Sequence, residues 1–255
     1  MNFFYFPFLY TFHTRLTSLS SKFAWVTTYL VPVFIIFLYF GLDIPFFFFL
    51  VLMIYSAYEL GYIFNDCEVV KTEINPTLRL NNCEVSYYEK NKVKIFLFRV
   101  FCLILINCCV YFFYKDYFLG SFGVSIFIIL IYFIYNSNRN NLNLILYLIL
   151  VFSRYFLFFI LIVPDITLFF ILFLSYPACA LIEFSTKKRF FTSSFVKISS
   201  FDKFRVFYYS FVFILSLIFY FFDIKYSLIF ILISFYFLFY RFVLFVFFAK
   251  KFRNN

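Results

Sequence analysis

The chain has 255 residues, 65% of them hydrophobic and 13% charged, and its 22 Lys and Arg exceed its 12 Asp and Glu to give a formal charge of +10. So large an apolar share cannot be packed around one soluble core of this size, which excludes a soluble globular enzyme and indicates an all-α, polytopic membrane protein. Membrane lipids are its expected surroundings, and no nucleic-acid partner is expected.

In chain order, the first 22 residues lack a basic start. Arg15 and Lys22 follow the apolar run instead of preceding it, so the segment reads as an interfacial helix or a ragged end and not as a signal peptide. Beyond it, apolar runs of about 20 residues, enough to cross about 30 Å of hydrocarbon, place about eight transmembrane helices. They fall at roughly 24–42, 44–64, 95–114, 117–135, 142–163, 166–184, 204–222 and 226–248. Residues 1–255 then form a single transmembrane domain.

The connections on one side are short: around Asp43, Lys115-Asp116, Pro164-Asp165 and Asp223 to Lys225. Two on the other side are long, 65–94 and 185–203. With the N-terminus inside, 17 of the 22 Lys and Arg fall on the cytoplasmic side and Lys115 and Lys225 fall outside. This positive-inside bias puts both termini in the cytoplasm and the chain in a bacterial inner membrane. The long loops follow the second and sixth spans, so 24–135 and 142–248 read as two parallel four-helix repeats. Each carries a Glu near the end of its second helix, Glu59 and Glu183. Of the three cations within spans, Arg99 and Arg241 read as snorkelling to an interface. Arg154 lies mid-span and needs a partner or water, with Glu59 the candidate.

Six cysteines, on the cytoplasmic side or within spans, imply reduced thiols and give no zinc spacing. His13, the single histidine, excludes a His-ligated cluster or a Ser-His-Asp triad.

The most polar stretch leaves the second span: Tyr58-Glu59-Leu60-Gly61-Tyr62-Ile63-Phe64-Asn65-Asp66-Cys67-Glu68, then Lys71, Glu73 and Asn75-Pro76-Thr77-Leu78-Arg79. Carboxylates at a bilayer exit are costly and mark a functional site. A diphosphate leaving group needs its charge neutralised, which hard cations on oxygen ligands and Lys or Arg supply. If the second helix continues outward, Asp66 and Glu73 fall within about 20° of each other and Glu68 about 200° away. That ranks Asp66, Glu73 and Glu68, in that order, as ligands of Mg²⁺. Glu59, Tyr62 and Asp66 share one face. The plainer alternatives are a solvated helix end with alternating charge and, for Lys187-Lys188-Arg189, a determinant of topology or a contact to anionic headgroups.

Asn65-Asp66, with Glu73 in place of a later Asp and the Asn75 to Arg79 tail, resembles the aspartate-rich motif of the UbiA-type intramembrane prenyltransferases. Tyr135-Asn136-Ser137-Asn138-Arg139 and Arg154 resemble further family positions. The chain departs from the pattern at Val69, at Lys187, four residues after Glu183 where a second carboxylate belongs, and in lacking a ninth helix. Lys188-Arg189-Phe190 and Arg205 to Tyr209 are similar to the decaprenyl-phosphate phosphoribosyltransferase branch. The resemblance implies a Mg²⁺-dependent transferase that moves a prenyl or sugar-phosphate group from a diphosphate donor to a lipid or aromatic acceptor, with an isoprenoid or polyprenyl phosphate as substrate. It implies catalytic roles for Asn65 and Asp66, and substrate contacts for Glu59, Tyr62, Arg79, Tyr135, Arg139, Arg154, Glu183, Lys187, Lys188 and Arg189. The competing class is a non-catalytic superfamily relative or a membrane transporter of a lipid-linked substrate.

Overall fold

Inside hydrocarbon a single apolar segment of about 20 residues satisfies its own backbone polar groups by winding into a helix, and the computed structural model is accordingly helical. It describes residues 1–73, 76–138 and 140–248, and contains no strand among them. Asn75, Arg139, Lys250, Lys251 and Arg253 lie outside the described residues. The helices are α1 (Leu9–Thr14), α2 (Leu19–Trp25), α3 (Val31–Tyr39), α4 (Ile44–Cys67), α5 (Asn82–Phe113) and α6 (Lys115–Ser137). They continue as α7 (Leu142–Tyr155), α8 (Leu157–Ile162), α9 (Ile166–Ser175), α10 (Pro177–Ser185), α11 (Phe201–Phe221) and α12 (Ser227–Val243).

Six stretches are long and apolar enough to cross a membrane: Leu19–Tyr39, Ile44–Thr72, Asn82–Phe113, Lys115–Ser137, Phe201–Phe221 and Ser227–Phe247. A seventh results if α9 and α10, bent by 48° at Tyr176, count as one span. The chain is therefore an integral membrane protein. The difference from the expected eight lies at 142–163, which divides at Phe156 into α7, of 14 residues, and α8, of six. At 1.5 Å per residue neither covers a bilayer alone.

Two compact units divide the chain, residues 1–26 with 42–139 and residues 27–41 with 140–255. In the first, α4 is the central helix: 78% of its most apolar window is buried, against 33% for α5 and 28% for α6, which pack on it and on each other. Gly61 makes the α4–α6 approach possible, because the Tyr132 ring occupies the place a Cβ at position 61 would take. In the second unit α11 pairs with α12, α10 packs on α7 and α9, and α3 lies against α12.

The N-terminus is the larger departure from expectation. Residues 1–16 fold onto the first unit, with Phe4 and Tyr10 fully buried in a cluster with Ile63, Cys67, Tyr88 and Ile95. Phe8 stacks on Tyr55 at 4.9 Å, and Phe8 and Phe12 each meet the Trp25 ring edge-on at 6.0 Å. Trp25 Nε1 donates to Tyr55 Oη.

The loop after α4 is also shorter than expected. Helix α5 begins at Asn82, started by a reciprocal cap in which Asn81 and Glu84 each bond the other's backbone N–H at 2.9 Å. Its charged first turns, Asn82 to Lys94, belong to the same helix as the apolar span.

Candidate functional site

Helix α4 brings two carboxylates to its last turns. Glu59 is fully buried and paired with Arg99 from α5, itself fully buried. Glu59 also accepts from the backbone N–H groups of Phe8 at 2.9 Å and Thr11 at 2.6 Å. Arg99 donates from Nε to the Phe4 carbonyl at 2.7 Å and from Nη2 to the Phe3 carbonyl at 2.9 Å. These contacts correct two expectations, for Arg99 and for Glu59. Arg99 does not snorkel, since a guanidinium with an internal carboxylate partner has no need of water. Arg154 is half-buried on α7, in the second unit. Glu59, with both oxygens engaged and no exposed surface, holds the N-terminal segment instead of facing a substrate.

Asp66, two turns on, is 4% exposed. Its Oδ2 accepts from Tyr10 Oη at 2.9 Å and forms an ion-pair contact with Arg15 Nη1 at 2.8 Å, and its Oδ1 accepts from Arg15 Nη2 at 3.0 Å, Arg79 Nη1 at 3.2 Å and Asn65 Nδ2 at 3.2 Å. The Arg15 guanidinium also lies over the Tyr62 ring, 4.5 Å from its centroid. Burial alone would lower the Arg15 pKa, but the Asp66 hydrogen bond and charge reverse this and raise it, so Arg15 is a firm cation. Burial, aided by the Asp66 charge, pushes the Tyr10 phenol far above its usual range, so it stays a donor.

Glu68 is engaged elsewhere, and Glu73 does not continue the α4 helix that carries Asp66. Helix α4 stops at Cys67, and a 3₁₀ turn over Val69–Thr72 leads to Glu73 in extended conformation, which voids the helical-face argument for Asp66 and Glu73. Glu68 accepts from Tyr88 Oη at 2.9 Å, Lys71 Nζ at 3.0 Å and Lys92 Nζ at 2.5 Å, and Lys71 also pairs with Glu89. Mg²⁺ asks for free carboxylate oxygens in near-octahedral array. Asp66 has given its oxygens to two guanidiniums, a phenol and an amide, and these donors would repel a divalent ion. Asp66 and Glu68, engaged in this way, do not fit Mg²⁺.

Of the other expected residues, Tyr135 meets Tyr132 edge-on at 6.1 Å. In the second unit Glu183 forms a fork with Arg205, Nε to Oε1 at 2.6 Å and Nη2 to Oε2 at 2.7 Å. The pair borders a cavity of about 280 Å³ that Tyr147, Tyr176, Phe184, Lys187 and Phe201 also line. Lys187 Nζ sits 4.3 Å from the Phe184 centroid and Arg189 lies over Phe184 and Phe190 at 5.2 and 4.7 Å, whereas Lys188 is simply exposed. Tyr10, Arg15 and Arg99 are central to the geometry and are not among the site residues that the sequence predicts. Only Arg99 carried a signal, being a cation inside an apolar run.

No protein-family model, no curated protein and no solved structure matches this chain. The UbiA likeness therefore rests on the residues named above.

Proposed function

We propose that the chain is a UbiA-like intramembrane transferase acting on a lipid-linked phosphate or diphosphate, with the end of α4 as its anion site on the cytoplasmic face. One observation carries this reading. A single buried carboxylate, Asp66, holds two guanidiniums whose side chains remain partly exposed, Arg15 at 19% and Arg79 at 32%. One negative charge against two positive ones leaves a net positive centre at a bilayer exit, with donors to spare. Phosphate oxygens are the natural complement of such a centre, since each Arg presents five N–H groups and Asp66 uses only some of them. Asp66 then orients the cations, and Asn65 fixes Asp66. In a transfer step the same cations would neutralise the charge that develops on the departing diphosphate. Lys187 and Arg205 beside the aromatic walls of the second unit's cavity suit an anionic group on an apolar body in the same way.

A second reading, a non-catalytic relative that binds the same lipid, is favoured by a different observation: Asp66, Glu68 and Glu183 are all neutralised by Lys or Arg. Two measurements decide. Mass spectrometry of lipids that co-purify in detergent should find a polyprenyl phosphate, and a chain free of phosphorylated lipid would remove the basis of both readings. Transfer from phosphoribosyl diphosphate or a prenyl diphosphate into lipid, with and without Mg²⁺, then separates them. Lipid binding should survive chelation, because cations alone hold the phosphate, and binding that requires Mg²⁺ would refute the clamp.

A further inference from the structure

Residues 3–15 are fastened to the first unit at two places. At one end, four hydrogen bonds link the Glu59–Arg99 pair to main-chain groups: the carbonyls of Phe3 and Phe4, and the N–H groups of Phe8 and Thr11. These bonds ignore side-chain identity and recognise the path of the backbone, including the turn where Phe8 takes φ +67°, a costly conformation for a bulky residue. Glu59 supplies the cap that α1 lacks from its own residues. At the other end, Tyr10 Oη and Arg15 Nη2 each donate a hydrogen bond to Asp66, and Arg15 Nη1 adds an ion-pair contact at 2.8 Å. His13 Nε2 meets Glu84 at 2.6 Å between them.

Two fully buried charges in an apolar bundle are expensive unless every lone pair and proton is used. Here most of their bonding capacity is spent on the segment that carries Arg15. A purely structural ion pair would need no such strap, and a strap held only by packing would not fix a guanidinium on one carboxylate.

We propose that this N-terminal strap is a working part of the anion site: Arg15 is the residue that contacts the lipid phosphate, and Glu59 and Arg99 are positioning residues that set it there. The inference rests on the reading of the α4 end as an anion site. It adds that half of the cationic charge comes from a segment outside the aspartate-rich stretch, so the site is assembled only when the strap is docked.

The test uses the full chain in nanodiscs, with a long-chain polyprenyl phosphate and the matching uncharged polyprenol as probes, and inorganic diphosphate as a soluble competitor. The intact chain should prefer the phosphate lipid. Arg15→Ala and Arg79→Ala should each weaken that preference about tenfold or more, the scale of one charge-assisted contact. Arg15→Lys should restore part of it and steepen the salt dependence. Arg99→Lys keeps the buried charge but loses the fork onto Phe3 and Phe4. It should lower hydrogen-exchange protection of residues 3–15 and weaken phosphate preference together, while leaving protection of α5 and α6 in place. If Arg79→Ala weakens binding but Arg15→Ala does not, or if the strap loosens with no change in preference, the strap proposal falls and the anion site stands. If the intact chain fails to distinguish phosphate from alcohol, both fall. Displacement by inorganic diphosphate alone, with equal affinity and no contribution from the chain of the lipid, would reassign the ligand to a soluble phosphate and overturn the lipid assignment.

Discussion

Glu59 and Arg99 sit 40 positions apart, and each is intelligible only through the other. Removing Arg99 leaves Glu59 buried and charged without its cation, and leaves the Phe3 and Phe4 carbonyls without their donor. Arg99→Ala should therefore destabilise the fold by about 3–5 kcal/mol, read as a lowered midpoint of thermal unfolding in detergent. A second residue-scale test concerns Gly61. A methyl group there meets the root of the Tyr132 ring, not the far end of a flexible chain, so the ring and α6 must move. Gly61→Ala should cost about 1–3 kcal/mol, and pairing it with Tyr132→Ala should recover part of the loss. The notable residues were legible to different degrees. Asp66 and Glu183 stood out because a carboxylate in an apolar chain has few cheap places to be. The identity of their partners was hidden, because Arg15 reaches Asp66 and Arg205 reaches Glu183 across chain separations that helical periodicity does not address.

At the level of elements, the apolar runs located the spans well because hydrocarbon imposes one length and one secondary structure. They failed where a run is uniformly apolar and yet broken. The 142–163 and 166–184 stretches contain interruptions at Phe156 and at Tyr176-Pro177, and of these only Pro177, which lacks a backbone donor, left a trace in the sequence. The start of α9 offers a pH test. Asp165 caps the N–H groups of Thr167 at 2.8 Å and Leu168 at 3.4 Å, and Lys225 Nζ lies 2.8 Å from its other oxygen. The Lys225 hydrogen bond holds the Asp165 carboxyl below its usual range. A carboxyl depressed in the fold contributes fully above its unfolded pKa, about 3.9, and loses that contribution as pH falls through the lower folded value. The same contact raises the Lys225 ammonium, whose share is complete below about 10.4 and lost above it. Exchange protection of the first turn of α9 should thus be flat from neutral to mildly acidic pH and fall below about pH 4. Asp165→Asn should remove that acid dependence.

For the molecule as a whole, charge asymmetry between loops gives the orientation to be tested. Single cysteines at positions 79 and 188 in a cysteine-free background should be labelled by an impermeant thiol reagent only from the cytoplasmic side, and one at position 225 only from the opposite side. Periplasmic labelling at 188 would reverse the assignment. Composition was enough to establish membrane residence, because 65% hydrophobic residues leave no other solvent for the chain. It was not enough to place residues 1–16, which are too short and too mixed for a span and whose docking depends on two buried side chains far along the sequence.

The contacts of Trp25 have a practical consequence. It is the single tryptophan in the chain, and two of its aromatic neighbours, Phe8 and Phe12, belong to the N-terminal strap. Release of the strap would strip both rings from the indole while leaving Tyr55, so intrinsic emission carries an unlabelled optical signal of docking. A red shift and greater quencher access on Arg99→Lys, reversed when polyprenyl phosphate is added, would let the assembly of the site be followed in real time by fluorescence alone.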